Sequence, residues 1–273
     1  MTDASPGSAA RRVAWVTGAS RGVGRGIAVA LGRAGWIVYV TARSSAAGRT
    51  GHVPGTADGT ADEVTAAGGQ GVAVRCDHRD DTAVALVAER ISAAEGRLDL
   101  LVNNVWGGYE RLNAGAWDEW TAPLWEQPLE LFDAMFAGGV RAHYVALARS
   151  APLLIATPAS LVVTVSFAVP ESAQRQFGAA YAMAKTADDR LALAAGVQLR
   201  AHGVTSLAVH PGLVRTEGVL QFAEHLDLAR SQSPEGVGRA VAALTRDPDL
   251  LTLTGQVMTV DDLAARYGID VTA

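Results

Sequence analysis

Arg12-Val13-Ala14-Trp15-Val16-Thr17, followed at once by Gly18-Ala19-Ser20-Arg21-Gly22-Val23-Gly24, is the stretch that decides the fold. The first six residues are apolar and β-prone, and Ile27, Ala30, Leu31 and Ala34 then recur at helical spacing. Strand, glycine turn and helix in that order make a cradle for a dinucleotide. Glycines let the backbone approach a pyrophosphate, and the free N–H groups and positive dipole end of the helix receive it. On this reading Gly18, Ser20, Arg21, Gly22, Val23 and Gly24 hold the cofactor.

Outward from this turn the pattern repeats. Short apolar runs at 36–41, 71–76, 98–103, 160–165, 204–209 and 253–260 alternate with helical segments at 81–94, 129–150, 180–201 and 234–247. Alternation of this kind predicts an α/β fold: one Rossmann-like, doubly wound parallel sheet of about seven strands with helices on both faces. No Pro/Ser-rich linker or charge block divides the 273 residues, so 1–273 reads as a single domain with 1–11 as a flexible tail. A loop at 45–59 and a flap at 217–233 complete the outline.

Composition narrows the function. A net charge of -5 and a pI near 5.7 argue against nucleic acid as a partner. The single cysteine, Cys76, leaves no disulfide framework and no cysteine-built zinc site, which suits a reducing cytoplasm. Met1 to Arg12 lacks an apolar h-region and no segment reaches membrane-spanning length, so secretion and a membrane location are not expected. His78 and His210 have no second ligand in sequence, and no metal is expected.

Two patterns carry chemistry. The second strand ends in Ala42-Arg43-Ser44, without the Asp or Glu that would hold an adenosine 2′-hydroxyl. Arg43 and Arg21 can therefore converge on a 2′-phosphate, which predicts NADP (NADPH) with NAD possible, or they face solvent. The second pattern is Tyr181-Ala182-Met183-Ala184-Lys185. Among 23 basic residues Lys185 is the only lysine, which suggests that position 185 needs a compact point charge. Four residues apart on one helical face, the cation would pull the Tyr181 phenol down from about 10 and make it a proton donor and acceptor.

With Thr17-Gly18-x-x-x-Gly22-x-Gly24, Asn103-Asn104, Ser166, Tyr181-x-x-x-Lys185 and Pro211-Gly212 in this order, the chain resembles the short-chain dehydrogenase/reductase family over nearly its whole length. The resemblance implies hydride transfer between a nicotinamide and a small apolar carbonyl or its alcohol. It implies Ser166, Tyr181 and Lys185 as catalytic residues, with Ser166 orienting the substrate oxygen and Lys185 holding ribose hydroxyls. Asp77, His78, Asn104, Pro211, Gly212, Val214 and Thr216 are implied in cofactor binding. Asp77 would contact the adenine amino group, or serve as a helix N-cap instead. A homodimer or homotetramer is also implied. Alternatives are a dinucleotide-binding sensor that has lost catalysis, and a non-redox member such as an epimerase or dehydratase.

Two departures from the family pattern stand out. Asn103-Asn104 is followed by Val105-Trp106 rather than Ala-Gly, and Gly139 replaces a helix asparagine that in relatives opens the helix for a water linking the lysine to solvent. With glycine there, carbonyls near Gly138 and Gly139 are expected to hold that water. Gly139, Arg141-x-His143-Tyr144, the insert at 105–128 and the Asp262-Leu263-Ala264-x-Arg266-Tyr267-Gly268 tail resemble the branch typified by dehydrogenase/reductase family member one. The insert carries four of the six tryptophans, which either wall an apolar pocket or pack against the body or a second subunit.

Overall fold

The structure, a computed structural model, describes residues 11–169, 174–229 and 231–272. The expected tail at 1–11 lies, but for Arg11, outside the described residues, as does part of the loop between the fifth strand and Tyr181. Seven strands form one parallel sheet in the order β3-β2-β1-β4-β5-β6-β7. They are β1 (Val13–Thr17), β2 (Ile37–Ala42), β3 (Gln70–Arg75), β4 (Leu100–Asn103), β5 (Leu161–Val165), β6 (Thr205–His210) and β7 (Val257–Thr259). The helices include α1 (Gly22–Arg33), α2 (Ala57–Ala66), α3 (Asp81–Glu95), α4 (Tyr109–Asn113), α5 (Trp117–Thr121) and α6 (Leu129–Met135). They continue with α7 (Ala142–Ala156), α8 (Gln174–Leu199), α9 (Pro234–Leu244) and α10 (Val260–Tyr267).

The central strands are buried on both faces, which is why they read as continuous apolar runs. Successive side chains of β1 point to opposite cores. Ala14 and Val16 join Ile27, Leu31, Val64 and Val241 of α1, α2 and α9, whereas Val13 and Trp15 join Ile91, Leu154 and Ala195 of α3, α7 and α8. The strand order reverses between β1 and β4, so a crevice opens beyond their carboxyl ends, where ligands of such sheets bind.

Three elements differ from the sequence reading. The insert at 105–128, to which the sequence reading assigns no elements, contains the short helices α4 and α5. The helix expected at 129–150 is α6, a π-turn at Phe136–Arg141 and then α7, which runs past Pro152 to Ala156. Proline reads as a stop because it lacks the N–H and crowds the preceding turn. The last strand shrinks to three residues, because Leu250–Leu253 is a 3-10 turn and Gly255 bends the chain at φ +78°.

Candidate active site

Gly178, at φ +71°, breaks the backbone ahead of the long regular part of α8, so Tyr181 and Lys185 fall in its first turns. Both are buried, at 3% and 6% exposure. Tyr181 stands inside an aromatic cage. Trp106 meets it edge-on at 5.6 Å, Trp120 lies at 5.3 Å, Phe177 stacks at 5.4 Å and Phe167 lies at 6.1 Å. Its hydroxyl lies 3.3 Å from that of Tyr109. Burial first, then Tyr109 and Asp188, hold the phenol well above the ordinary tyrosine range. This corrects the expectation that Lys185 would draw it down.

The Lys185 charge is spent elsewhere. Its Nζ lies 3.7 Å from the Trp106 ring centroid and 3.2 Å from Asp188 Oδ2. The other carboxylate oxygen of Asp188 is 2.8 Å from Nδ1 of His143, whose Nε2 lies 2.8 Å from the Val105 carbonyl. A carbonyl only accepts, and so does a carboxylate, so both ring nitrogens of His143 face acceptors. Burial alone would raise the Asp188 carboxyl, but His143 and Lys185 more than offset it and keep it below its usual range. One buried carboxylate thus sits between the Lys185 ammonium and the His143 ring.

Trp106 also explains Gly139. A Cβ placed on Gly139 would come within 2.5 Å of the indole. The helix does open here, as the π-turn, but the indole that lies under the Lys185 ammonium also fills the place of a side chain at 139. The water expected against the carbonyls of Gly138 and Gly139 would have to share that space with a tryptophan.

Ser166 lines the same cavity, yet its hydroxyl donates to the backbone carbonyl of Lys185 at 2.9 Å, so its proton is committed to the helix. At the glycine turn Gly18 adopts φ +66°, and a Cβ there would lie 2.6 Å from the Val105 backbone. Asn104 stitches this turn to β4. Its amide donates to the carbonyls of Thr17 and Gly18 at 2.9 and 3.2 Å, and its N–H to the Thr17 hydroxyl. No side chain caps α1 at Arg21; instead the N–H of Gly22 donates to Glu217 Oε2 at 2.9 Å.

The two arginines do approach the end of β2. Arg21 donates to the Ser44 hydroxyl and the Gly55 carbonyl, and Arg43 makes a 2.5 Å ion pair with Glu110 of α4. Asp77 pairs with Arg79, whose hydrogen bond and charge draw its carboxyl down to about 2. The N-cap of α3 is Asp80, not Asp77. The His78 ring lies 3.0 Å from the Thr41 hydroxyl, and burial pushes it down to about 3, so this side chain is neutral. His210 pairs with Asp189 at 2.8 Å. No cluster that could hold a metal occurs among the described residues.

With the exception of Gly24, every residue expected at the site lines one cavity of about 930 Å³, which runs from Arg43 and Asp77 past the glycine turn to Tyr181. Gly24 lies beneath, against Asn104. Trp106, Tyr109, Trp117 and Trp120 of the insert line the cavity too, whereas Trp125 is 82% exposed. The insert therefore walls the pocket with one part and faces solvent with another. Sequence reasoning missed Tyr109, Glu110, His143, Asp188 and Glu217; the signal for Asp188 was an acid three residues after the only lysine.

The cavity at a switch point, with a buried Tyr-Lys pair on its floor and a glycine turn along its wall, defines a doubly wound fold of the dinucleotide-binding class. The chain belongs to the short-chain dehydrogenases, whose family profile (short chain dehydrogenase) matches residues 12–226. It is 36% identical over 272 residues to dehydrogenase/reductase SDR family member 1 of Mus musculus, covering 94% of this chain and 82% of the mouse protein. A putative dehydrogenase from Xanthomonas campestris superposes with a TM-score of 0.81 at 26% identity, over 94% of this chain and 90% of that one. A metagenomic short-chain oxidoreductase in complex with NADP gives 0.69 at 30% identity, over 91% and 96%. The protein is thus an oxidoreductase of short-chain type. No helix among the described residues is long and apolar enough to cross a membrane.

Proposed function

We propose that the protein is an NADP(H)-dependent oxidoreductase that interconverts a small apolar carbonyl and its alcohol, with Tyr181 as proton donor and acceptor. The observation that carries this reading is the single cavity that joins Tyr181 and Lys185 to the Arg21, Arg43 and Ser44 corner. Its residues fit a dinucleotide. The N–H of Gly22 already donates to an anion, the Glu217 carboxylate, where a phosphate oxygen would bind. The relative bound to NADP supports the choice of cofactor, as do two cations where an acid would select NAD.

When bound, the nicotinamide supplies the hydride. The chain then has to hold the carbonyl oxygen and deliver a proton to it. Tyr181, kept protonated by burial, is in the state needed for reduction. Lys185 would hold the ribose hydroxyls. The aromatic cage excludes water and gives the substrate side its apolar character. Exposed Tyr144 of α7 and Val197 of α8, the latter at 81%, support a homodimer or homotetramer.

The test is a fluorescence titration with NADPH and NADH, followed by turnover on a panel of apolar ketones and aldehydes. NADPH should bind about tenfold or more tighter, since each charge-assisted contact to the 2′-phosphate gives about 1.5–3 kcal/mol, and Arg43→Ala should remove most of the difference. Equal affinities would end the NADP assignment. Tight NADPH binding without turnover would favour the sensor.

A further inference from the structure

We propose that Tyr109 supplies the second hydroxyl of the site and, together with Tyr181, donates a hydrogen bond to the oxygen of the carbonyl substrate. This rests on the oxidoreductase reading above and assigns a role that Ser166 is not placed to fill. The Ser166 proton is engaged by the Lys185 carbonyl at 2.9 Å, and Phe167, the next residue, turns its ring toward Tyr181. No other hydroxyl is shown within hydrogen-bond distance of that of Tyr181 among the described residues, and Tyr109 lies 3.3 Å away.

The position of Tyr109 is built, not incidental. Arg111 makes two contacts of 2.6 Å to Glu119, and Glu110 pairs with Arg43, so the short helix α4 is pinned on both sides of the cavity mouth. Trp120 at 5.5 Å and Trp106 at 6.2 Å fix the ring between them. The hydroxyl separation is longer than the 2.7–2.8 Å typical of an O–H···O bond. The bond between the two phenols is thus a long one, which a substrate oxygen can replace.

A carbonyl oxygen has two lone pairs and accepts one hydrogen from each phenol. As the carbon is reduced, the C=O π pair moves onto oxygen, and two donors aimed at it stabilise the charge where it develops. The oxygen then takes the Tyr181 proton, which completes the O–H bond and leaves a phenolate. Tyr109 keeps its own proton and donates it as a hydrogen bond to that phenolate until solvent returns a proton. Burial raises the Tyr109 phenol, which keeps it a donor throughout. The pair also explains why the walls are aromatic: Trp106 and Trp120 orient both phenols by edge and tilted contacts.

Tyr109→Phe removes the hydroxyl and keeps the ring. With the best ketone from the panel, kcat should fall about a hundredfold, the lower range for loss of one oxyanion donor, while the KM for NADPH changes little. Tyr144→Phe, which removes an exposed phenol outside the cavity, should stay within about threefold of wild type in kcat. A second readout is independent of turnover: benzamide, whose carbonyl oxygen accepts two hydrogen bonds but is not reduced, is titrated calorimetrically into the NADP-saturated proteins. Tyr109→Phe should weaken benzamide about tenfold and Tyr144→Phe should not. Wild-type kcat in Tyr109→Phe, equal benzamide affinities, or no benzamide binding by the wild type overturns the proposal. Benzamide discrimination without reduction of any carbonyl would instead overturn the oxidoreductase reading.

Discussion

Asp188→Asn is the perturbation with the most to say about how this site is held. The side chain is fully buried, one carboxylate oxygen 3.2 Å from Lys185 Nζ and the other 2.8 Å from His143 Nδ1. Replacing it with an isosteric amide leaves two buried donors facing a neutral group, one of whose own atoms is now a donor. Breaking a buried pair in this way costs about 3–5 kcal/mol, because a charge is left without compensation. At about 2–4 °C per kcal/mol for a chain approaching this size, the thermal midpoint should fall by roughly 6–20 °C. Circular dichroism melts at neutral pH read this, with Asp81→Asn as control, since the Asp81–Arg141 pair is exposed and should not shift the midpoint measurably. The pH dependence gives a sharper check. Because the folded carboxyl titrates below its ordinary 3.8, its stabilisation is present above that value and is lost as pH falls through the lower folded value. The gap between wild type and Asp188→Asn should therefore narrow only in strong acid. A midpoint within a degree or so of wild type at neutral pH would refute the buried-triad reasoning.

Glu217→Gln should tighten NADPH binding about three- to tenfold, since the carboxylate on the Gly22 N–H occupies the helix end that a pyrophosphate needs and repels it; unchanged or weaker binding in a fluorescence titration would show that Glu217 does not compete. Gly139→Ala should cost about 1–3 kcal/mol, because its Cβ would come within 2.5 Å of Trp106, and adding Trp106→Ala should recover part of that loss in a denaturation cycle. Ketone reduction should be flat from about pH 6 to 9 because Tyr181 stays protonated, while alcohol oxidation, which needs the phenolate, should climb about tenfold per unit toward alkaline pH; an oxidation rate that levels off near neutrality would mean a lowered phenol.

The fold was legible because its signals are local. Doubly buried strands such as β1 and β4 are unbroken apolar runs, and the turn at Gly18 requires a residue that tolerates φ +66° with the Val105 backbone against it. The site was legible only where function rests on one position and its helical neighbour, as with Tyr181 and Lys185. Glu110 on Arg43 joins residues 67 apart, Glu217 on Gly22 joins residues 195 apart, and Tyr109 on Tyr181 joins residues 72 apart. No period or spacing encodes contacts of that range; they follow from which loops the sheet brings to its carboxyl edge.

The two departures from the family pattern show the same principle from the other side. Read along the chain, Val105-Trp106 and Gly139 are separate irregularities, of the kind expected of a protein that has lost catalysis. In space they are one feature: a large ring at 106 needs an absent side chain at 139, and the backbone between α6 and α7 widens into a π-turn beside it. The ring then carries the Lys185 ammonium on its face at 3.7 Å, while the Val105 carbonyl receives His143, which in turn holds the Asp188 carboxylate against the same ammonium. A substitution that merely abandoned the site would leave the lysine charge unsupported in a buried place, at a cost of several kcal/mol. Here a residue that breaks the pattern, Trp106, supplies a new contact to that charge, and the glycine at 139 leaves the room its ring needs.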